Sequence, residues 1–280
     1  MSSTIRPQVI TPPLTPRHSS NNLRDRDGNI PIDIDIPDNY VHHVLTTEKA
    51  LPPITWKNFY YELEWISTLA LTFTPIASIY GWFTTPLQLN TALFAIVYYF
   101  FTGLGITAGY HRLWAHRSYN ASRPLEYILA LAGAGAIQGS IKWWSRGHRA
   151  HHRYTDTDLD PYSAHRGLLW SHIGWMLFKP RRKPGVADIS DLTRNPVVRW
   201  QHDWFLSLIL LMGIVVPTAV PGYFWGDWRG GYFYAALTRL LFVHHVSKRS
   251  WYPSGEQSAS PFLLLSLVDL LCQLARSLAR

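Results

Sequence analysis

The 280-residue chain has a single cysteine, Cys272. No internal disulfide can staple it, and a reducing compartment suits it. Charge is also scarce: 16% of residues are Asp, Glu, Lys or Arg, against roughly 25% in soluble domains. No apolar stretch follows the initiating Met, so the start does not read as a secretory signal. Residues 1–53 instead carry Pro, Asp, Asn and Ser, as in Thr11-Pro12-Pro13-Leu14-Thr15-Pro16. We read them as a disordered cytosolic head.

Aromatics, by contrast, are plentiful, with 13 Trp, 15 Tyr and 12 Phe. A mean hydropathy of −0.05 averages apolar blocks with strongly polar ones. The net charge of +8 is just as uneven. Residues 1–60 hold six basic and six acidic groups, and residues 61–110 only Glu62 and Glu64. Residues 111–203 hold fourteen basic and seven acidic groups, a net +7 lying between apolar blocks. A membrane surface or an anionic substrate explains that placement better than nucleic acid does.

From Trp65 to Phe83 no residue is charged, a run long enough to cross a ~30 Å hydrocarbon core as a helix. Pro75 inside it is tolerable where neighbouring helices satisfy the freed carbonyl. A short uncharged loop leads to a second run, Thr91 to about Tyr110. A third covers Trp204 to about Tyr223, and a fourth Tyr232 to about Val243. Leu125 to Ile141 is apolar but short and rich in small residues, so we place it as an interfacial or partly buried helix on the cytosolic side rather than across the membrane. The expected fold is an all-α integral membrane protein: four transmembrane helices under a cytosolic helical cap that carries histidine boxes.

Those boxes hold the chemistry. His111-Arg-Leu-Trp-Ala-His116 follows the second run, and His148-Arg-Ala-His151-His152 lies in the basic block. Spacings of three and four put His148, His151 and His152 on one helical face. A spacing of five is too wide for one ideal face, so the rings of His111 and His116 are expected to splay to different points. Five imidazoles are more than one metal needs from such short segments, and a two-metal centre follows. Imidazole serves Zn, Cu, Fe and Ni alike, so spacing does not choose the metal. His18, His42 and His43 read as solvated. His165, His172 and His202 lie in the basic block, where His172 either supports the site or packs structurally. Of the adjacent His244 and His245, at most one can face the same locus.

The runs GLGITAGYHRLWAHRSYNA (103–121) and WWSRGHRAHHRYTDTDLDPYSAHRGLLWSHIGWML (143–177) resemble membrane acyl-CoA Δ9-desaturases, the stearoyl-CoA desaturases, and the fungal type most. The likeness covers about residues 50–245, with a membrane domain at 54–245. It implies two non-haem irons, an acyl-CoA substrate, O2, electrons from cytochrome b5 and its reductase, and the endoplasmic-reticulum membrane. Under it, His111, His116, His148, His151 and His152 match iron ligands. Trp144 matches a residue at the bend of the acyl tunnel, and Arg146 the head-group region. Lys179, Arg181, Arg182 and Lys183 form a basic cluster in the same stretch, suited to a polyanionic coenzyme A or to lipid.

After His245 the likeness stops. The family's Asn-Ser-x-x-His element, its later His-x-x-His-His box and a fungal cytochrome b5 domain have no counterpart in the 280 residues. Residues 246–280 read as an unrelated tail. Val246-Ser247 can be encoded by GTAAGT, an intron donor, so translated intron is one explanation and altered function another. Weak or absent desaturation by this chain alone is the expectation. A fatty-acyl hydroxylase and a non-catalytic acyl-CoA-binding membrane protein are the competing readings.

Overall fold

The structure, a computed structural model, describes residues 40–47, 49–155, 157–160, 162–182 and 185–249. The readings of residues 1–39, of the His18, His42 and His43 side chains, of Lys183 and of the tail from 250 lie outside the described residues. Among the described residues there is no strand, only one antiparallel pairing of Leu63 with Phe178. The all-helical expectation holds.

Among the described residues, three helices are long and apolar enough to cross a bilayer. They are α2 (Trp65–Thr84), α3 (Leu89–Ala115) and α8 (Phe205–Trp225). Their large apolar side chains point outward, with Ile66 88% and Phe83 86% exposed, as suits a lipid-facing surface. In α2 the hydroxyl of Thr74 donates to the Ala70 carbonyl at 2.8 Å beside Pro75. A further helix, α9 over residues 228–249, packs against α2 and α3 but carries Arg229 and Arg239. α8 ends at Gly226, whose φ of +74° suits the left-handed helix cap.

The end of the bundle where α3 starts is locked by Asp227. Its carboxylate accepts from the Thr91 hydroxyl and, at 2.8 Å, from the Gly230 amide. The Trp225 indole donates to Thr91 at 2.8 Å.

Between the apolar helices lies a set of shorter ones. α1 (Tyr40–Thr47) falls inside the stretch read as disordered, which is a correction to that boundary. Its Val44 is buried with Ala150, Tyr154 and Leu159, so an apolar contact orders this part of the head. α4 (Arg123–Gly135) has 13 residues, about 20 Å, too short for a crossing, as the sequence implied. It packs closely on α3, where Ala130, Ala132, Ala134 and Ala136 are buried. A Cβ on Gly105 of α3 would sit 2.1 Å from the Gly133 backbone nitrogen of α4. α5 (Ile141–Tyr154) starts at Ser140, whose hydroxyl accepts from the Trp143 amide. α6 (Ser190–Arg194) and α7 (Pro196–Asp203) follow, the latter capped by the Asn195 side chain.

Candidate metal centre

α3 changes register near its end. From Gly105 to Ala115 its hydrogen bonds close every fifth residue, a π-helix, and the His116 amide donates to the His111 carbonyl at 2.9 Å. Residues five apart then lie over one another. This corrects the expected splaying of His111 and His116: their ring centroids are 4.5 Å apart. The α-helical geometry assumed for that spacing does not apply here.

α5 supplies the facing rings. The Nε2 atom of His116 lies 3.1 Å from that of His111 and 2.9 Å from that of His148. His152 Nε2 lies 3.0 Å from His148 Nε2. One ligand atom from each of His111, His116, His148 and His152 falls within 4.8 Å of every other. Ligands bound at 2.0–2.1 Å from a common ion sit roughly 3 Å apart, so the set fits a metal. Lone pairs converging in this way are otherwise unfavourable.

The electrostatics agree. Burial, then the facing imidazoles, pushes His148 down to about 2. Burial lowers His116 first and the neighbouring Arg149 adds to it. For His152, burial is again the largest cause, followed by His116. Neutral imidazole is the form that binds metal.

His151 is placed differently. Its Nδ1 faces both oxygens of Asp160 at 2.9 Å, and that carboxylate is buried. Such a carboxylate fixes tautomer and ring orientation. His151 is not among the four convergent rings. Neither are His244, which meets the Ala136 carbonyl at 2.9 Å, and His245, which faces His172 at 3.4 Å. His202 meets the Ser140 hydroxyl at 2.8 Å.

Arg149 joins the pieces that carry the rings. Its guanidinium donates to the carbonyls of Trp114, Ala115 and Asp188 and to both oxygens of Asp191. The end of α3, the middle of α5 and the start of α6 are thereby tied together. Nothing in the histidine spacing pointed to Arg149 or Asp191; a basic residue inside a box was the one available signal. Asp160, nine residues after His151, could likewise be found only through its carboxylate.

Of the residues read as substrate-binding, Trp144 stacks on His148 with ring centroids 4.9 Å apart and planes 19° apart. Arg146 is exposed on α5. Lys179 and Arg181 have internal partners: Lys179 donates to the Tyr61 carbonyl, and Arg181 to Glu62 and the Pro52 carbonyl. They hold the short 3-10 turn before α2, Phe59–Glu62, against the basic block. Arg166, Arg181 and Arg182 line a cavity of about 250 Å³. A second cavity of about 530 Å³ opens on His116, His148 and His152, with Arg117, Arg149 and Arg153 at its wall.

Helices apolar enough to cross a membrane thus meet at a four-imidazole cradle with the geometry to hold a metal. Residues 85–257 match the fatty acid desaturase family, and the chain belongs to that family. It is 53% identical over 197 residues to a probable acyl-CoA desaturase of Schizosaccharomyces pombe, covering 70% of this chain and 41% of the relative. It is 44% identical over 201 residues to acyl-CoA desaturase 1 of Saccharomyces cerevisiae, covering 70% and 39%. Against stearoyl-CoA desaturase 5 of Bos taurus the identity is 42% over 193 residues, covering 66% and 57%. The chain thus spans about two-fifths of the length of the two fungal relatives.

Proposed function

We propose that this chain forms the metal-holding membrane portion of an acyl-CoA Δ9-desaturase, an oxidoreductase that inserts a cis double bond into stearoyl- or palmitoyl-CoA using O2. The convergence of the His111, His116, His148 and His152 nitrogens carries this reading. Iron held there would supply O2 activation, which cleavage of an unactivated C–H bond requires. The chain's own residues do the rest. Arg149 holds the two boxes at fixed separation, and Trp144 walls one side of the cluster. Desolvation and the mutual repulsion of the facing rings favour neutral imidazoles, most strongly at buried His148.

His151, oriented by Asp160, is proposed as a ligand to a second iron. Weak turnover is proposed for the described portion by itself, in which four nitrogens converge at one locus and His151 alone is proposed for the other. Arg146, Lys179, Arg181 and Arg182 are proposed to meet the anionic head of coenzyme A. Arg166 joins them, because it shares the 250 Å³ cavity with Arg181 and Arg182.

The wider setting is proposed as well. It comprises four spans, with α9 as the fourth, under a cytosolic cap in the endoplasmic-reticulum membrane. Electrons come from cytochrome b5 and its reductase. Purified chain loaded with ferrous iron and given stearoyl-CoA, O2 and a reductant tests the chemistry. Low yields of cis-9 product are expected. A hydroxylated product, or the same product without metal, overturns the desaturase reading.

A further inference from the structure

α4 ends in an unusual place. Its last turn, with Ala132, Ala134 and Ala136 buried, lies inside the bundle. The terminal carbonyls of a helix have no intrahelical donors, and burying them unpaired is costly. Those of Gly133 to Ala136 have partners here. Gly133 and Ala134 accept from the Ala136 and Ile137 amides. Gly135 accepts from Arg239 Nη1 at 3.0 Å, and the Ala136 carbonyl lies 2.9 Å from His244 Nε2.

Arg239 is 2% exposed in the middle of an apolar helix, where a charge is expensive. Its partners are not carboxylates. It donates to the Ala235 carbonyl, the Thr102 hydroxyl and the Gly213 carbonyl, and lies 5.0 Å from the Tyr98 ring centroid. The Gly213 carbonyl belongs to a π-turn of α8, Leu211–Val215, where the regular ladder is broken. The cation thus faces the negative end of the α4 dipole and a carbonyl released by α8.

A five-residue link, 136–140, joins α4 to α5. Ile137 and Gly139 in that link have φ of +52° and +99°, and the Ile141 amide donates to buried Gln201 at 3.0 Å. A link so short and conformationally restricted passes the placement of α4's end directly to α5. We infer that Arg239 and His244 are positioning residues: by capping the buried end of α4 they set where α5 presents His148 and His152. The inference rests on the metal-site reading above for its consequence, though not for its geometry.

Two measurements on the full chain in detergent test it, hydrogen exchange at amides 136–144 and the visible spectrum of bound cobalt(II). Arg239→Met is expected to speed exchange there, shift the cobalt bands and weaken cobalt binding on the order of ten-fold. His244→Leu should do the same to a smaller degree, with His244→Gln restoring the wild-type behaviour by supplying a donor. Thr91→Ala, which breaks the lock at the opposite end of the bundle, controls for general destabilisation and should leave spectrum and exchange unchanged. Unaltered exchange in His244→Leu and Arg239→Met overturns the inference, as does an equal effect of Thr91→Ala. Should Arg239→Met not fold, the His244 pair carries the test. A wild-type chain that binds no cobalt overturns the metal reading instead, and the exchange arm still decides the positioning role.

Discussion

Asp191 receives both terminal nitrogens of Arg149, at 2.7 and 2.8 Å, and through that fork the two histidine boxes share one scaffold. Arg149 lies between His148 and His151 in the chain, and its side chain grips the end of α3 beside His116. Arg117 reaches the same carboxylate at 2.7 Å, so Asp191 gathers three segments.

Removing that fork should loosen the cluster before it unfolds the chain. Arg149→Gln is expected to lower metal affinity about 10–100-fold, the range for residues that orient ligands. Isothermal titration with zinc checks this. Unchanged affinity would mean the boxes hold their places without Arg149.

Single removals of histidine should divide into two classes. His111→Ala, His116→Ala, His148→Ala and His152→Ala each take one nitrogen from the four-ring cradle and should abolish tight binding of the first metal. His151→Ala should spare it, because His151 faces Asp160 instead. Metal analysis of the five purified variants gives the answer, and equal loss in all five would contradict the division.

Stability should fall on acidification. The folded-state pKa values of His116, His148 and His152 lie below the ordinary 6.5. Below about pH 6.5 the unfolded chain therefore binds protons that the folded chain excludes. For His148 the loss grows until about pH 2. Asp191 acts in the same direction at lower pH. Burial raises it, but hydrogen bonds from Arg149 and Arg117 outweigh that and hold it at about 2. Its contribution is present above pH 3.8 and is lost as pH falls through about 2. Thermal melts of the metal-free chain from pH 8 to pH 5 should show a falling Tm; a rise would refute the assignment.

The α3–α4 crossing depends on the absence of a side chain. Gly105→Ala places a methyl 2.1 Å from the Gly133 nitrogen, and backbone atoms cannot step aside as a flexible side chain can. Overpacking of this kind costs about 1–3 kcal/mol. Gly103→Ala, where nothing lies within 4 Å of the added Cβ, is the matched control. Comparable melting curves for the two would argue against the close crossing.

Chelation should also destabilise the loaded protein, since a metal held by the folded rings stabilises that state by its own binding free energy. The Tm of chain treated with EDTA should drop, and added zinc should restore it. No shift would mean the cradle binds nothing tightly.

Much of this was legible from residue order. Uncharged runs marked α2, α3 and α8, because a bilayer demands length and apolarity that composition displays directly. The spacing of His148 and His152 showed a shared face, since both lie on one regular helix. The shortness and small residues of 125–141 set that block, which holds most of α4, apart from the long apolar runs.

What the sequence by itself determined is therefore the donor types, their local spacing and the apolar helices around them. Tertiary structure alone decided how the donors meet. The π-register of α3 brings His111 over His116, and nothing in eleven residues of sequence states which hydrogen-bond ladder they follow. Asp160, 2% exposed, draws His151 out of the group, and Arg239 finds its partners on α3, α4, α8 and its own helix. Those outcomes depend on contacts between distant segments, whose energies exist only once the chain has packed.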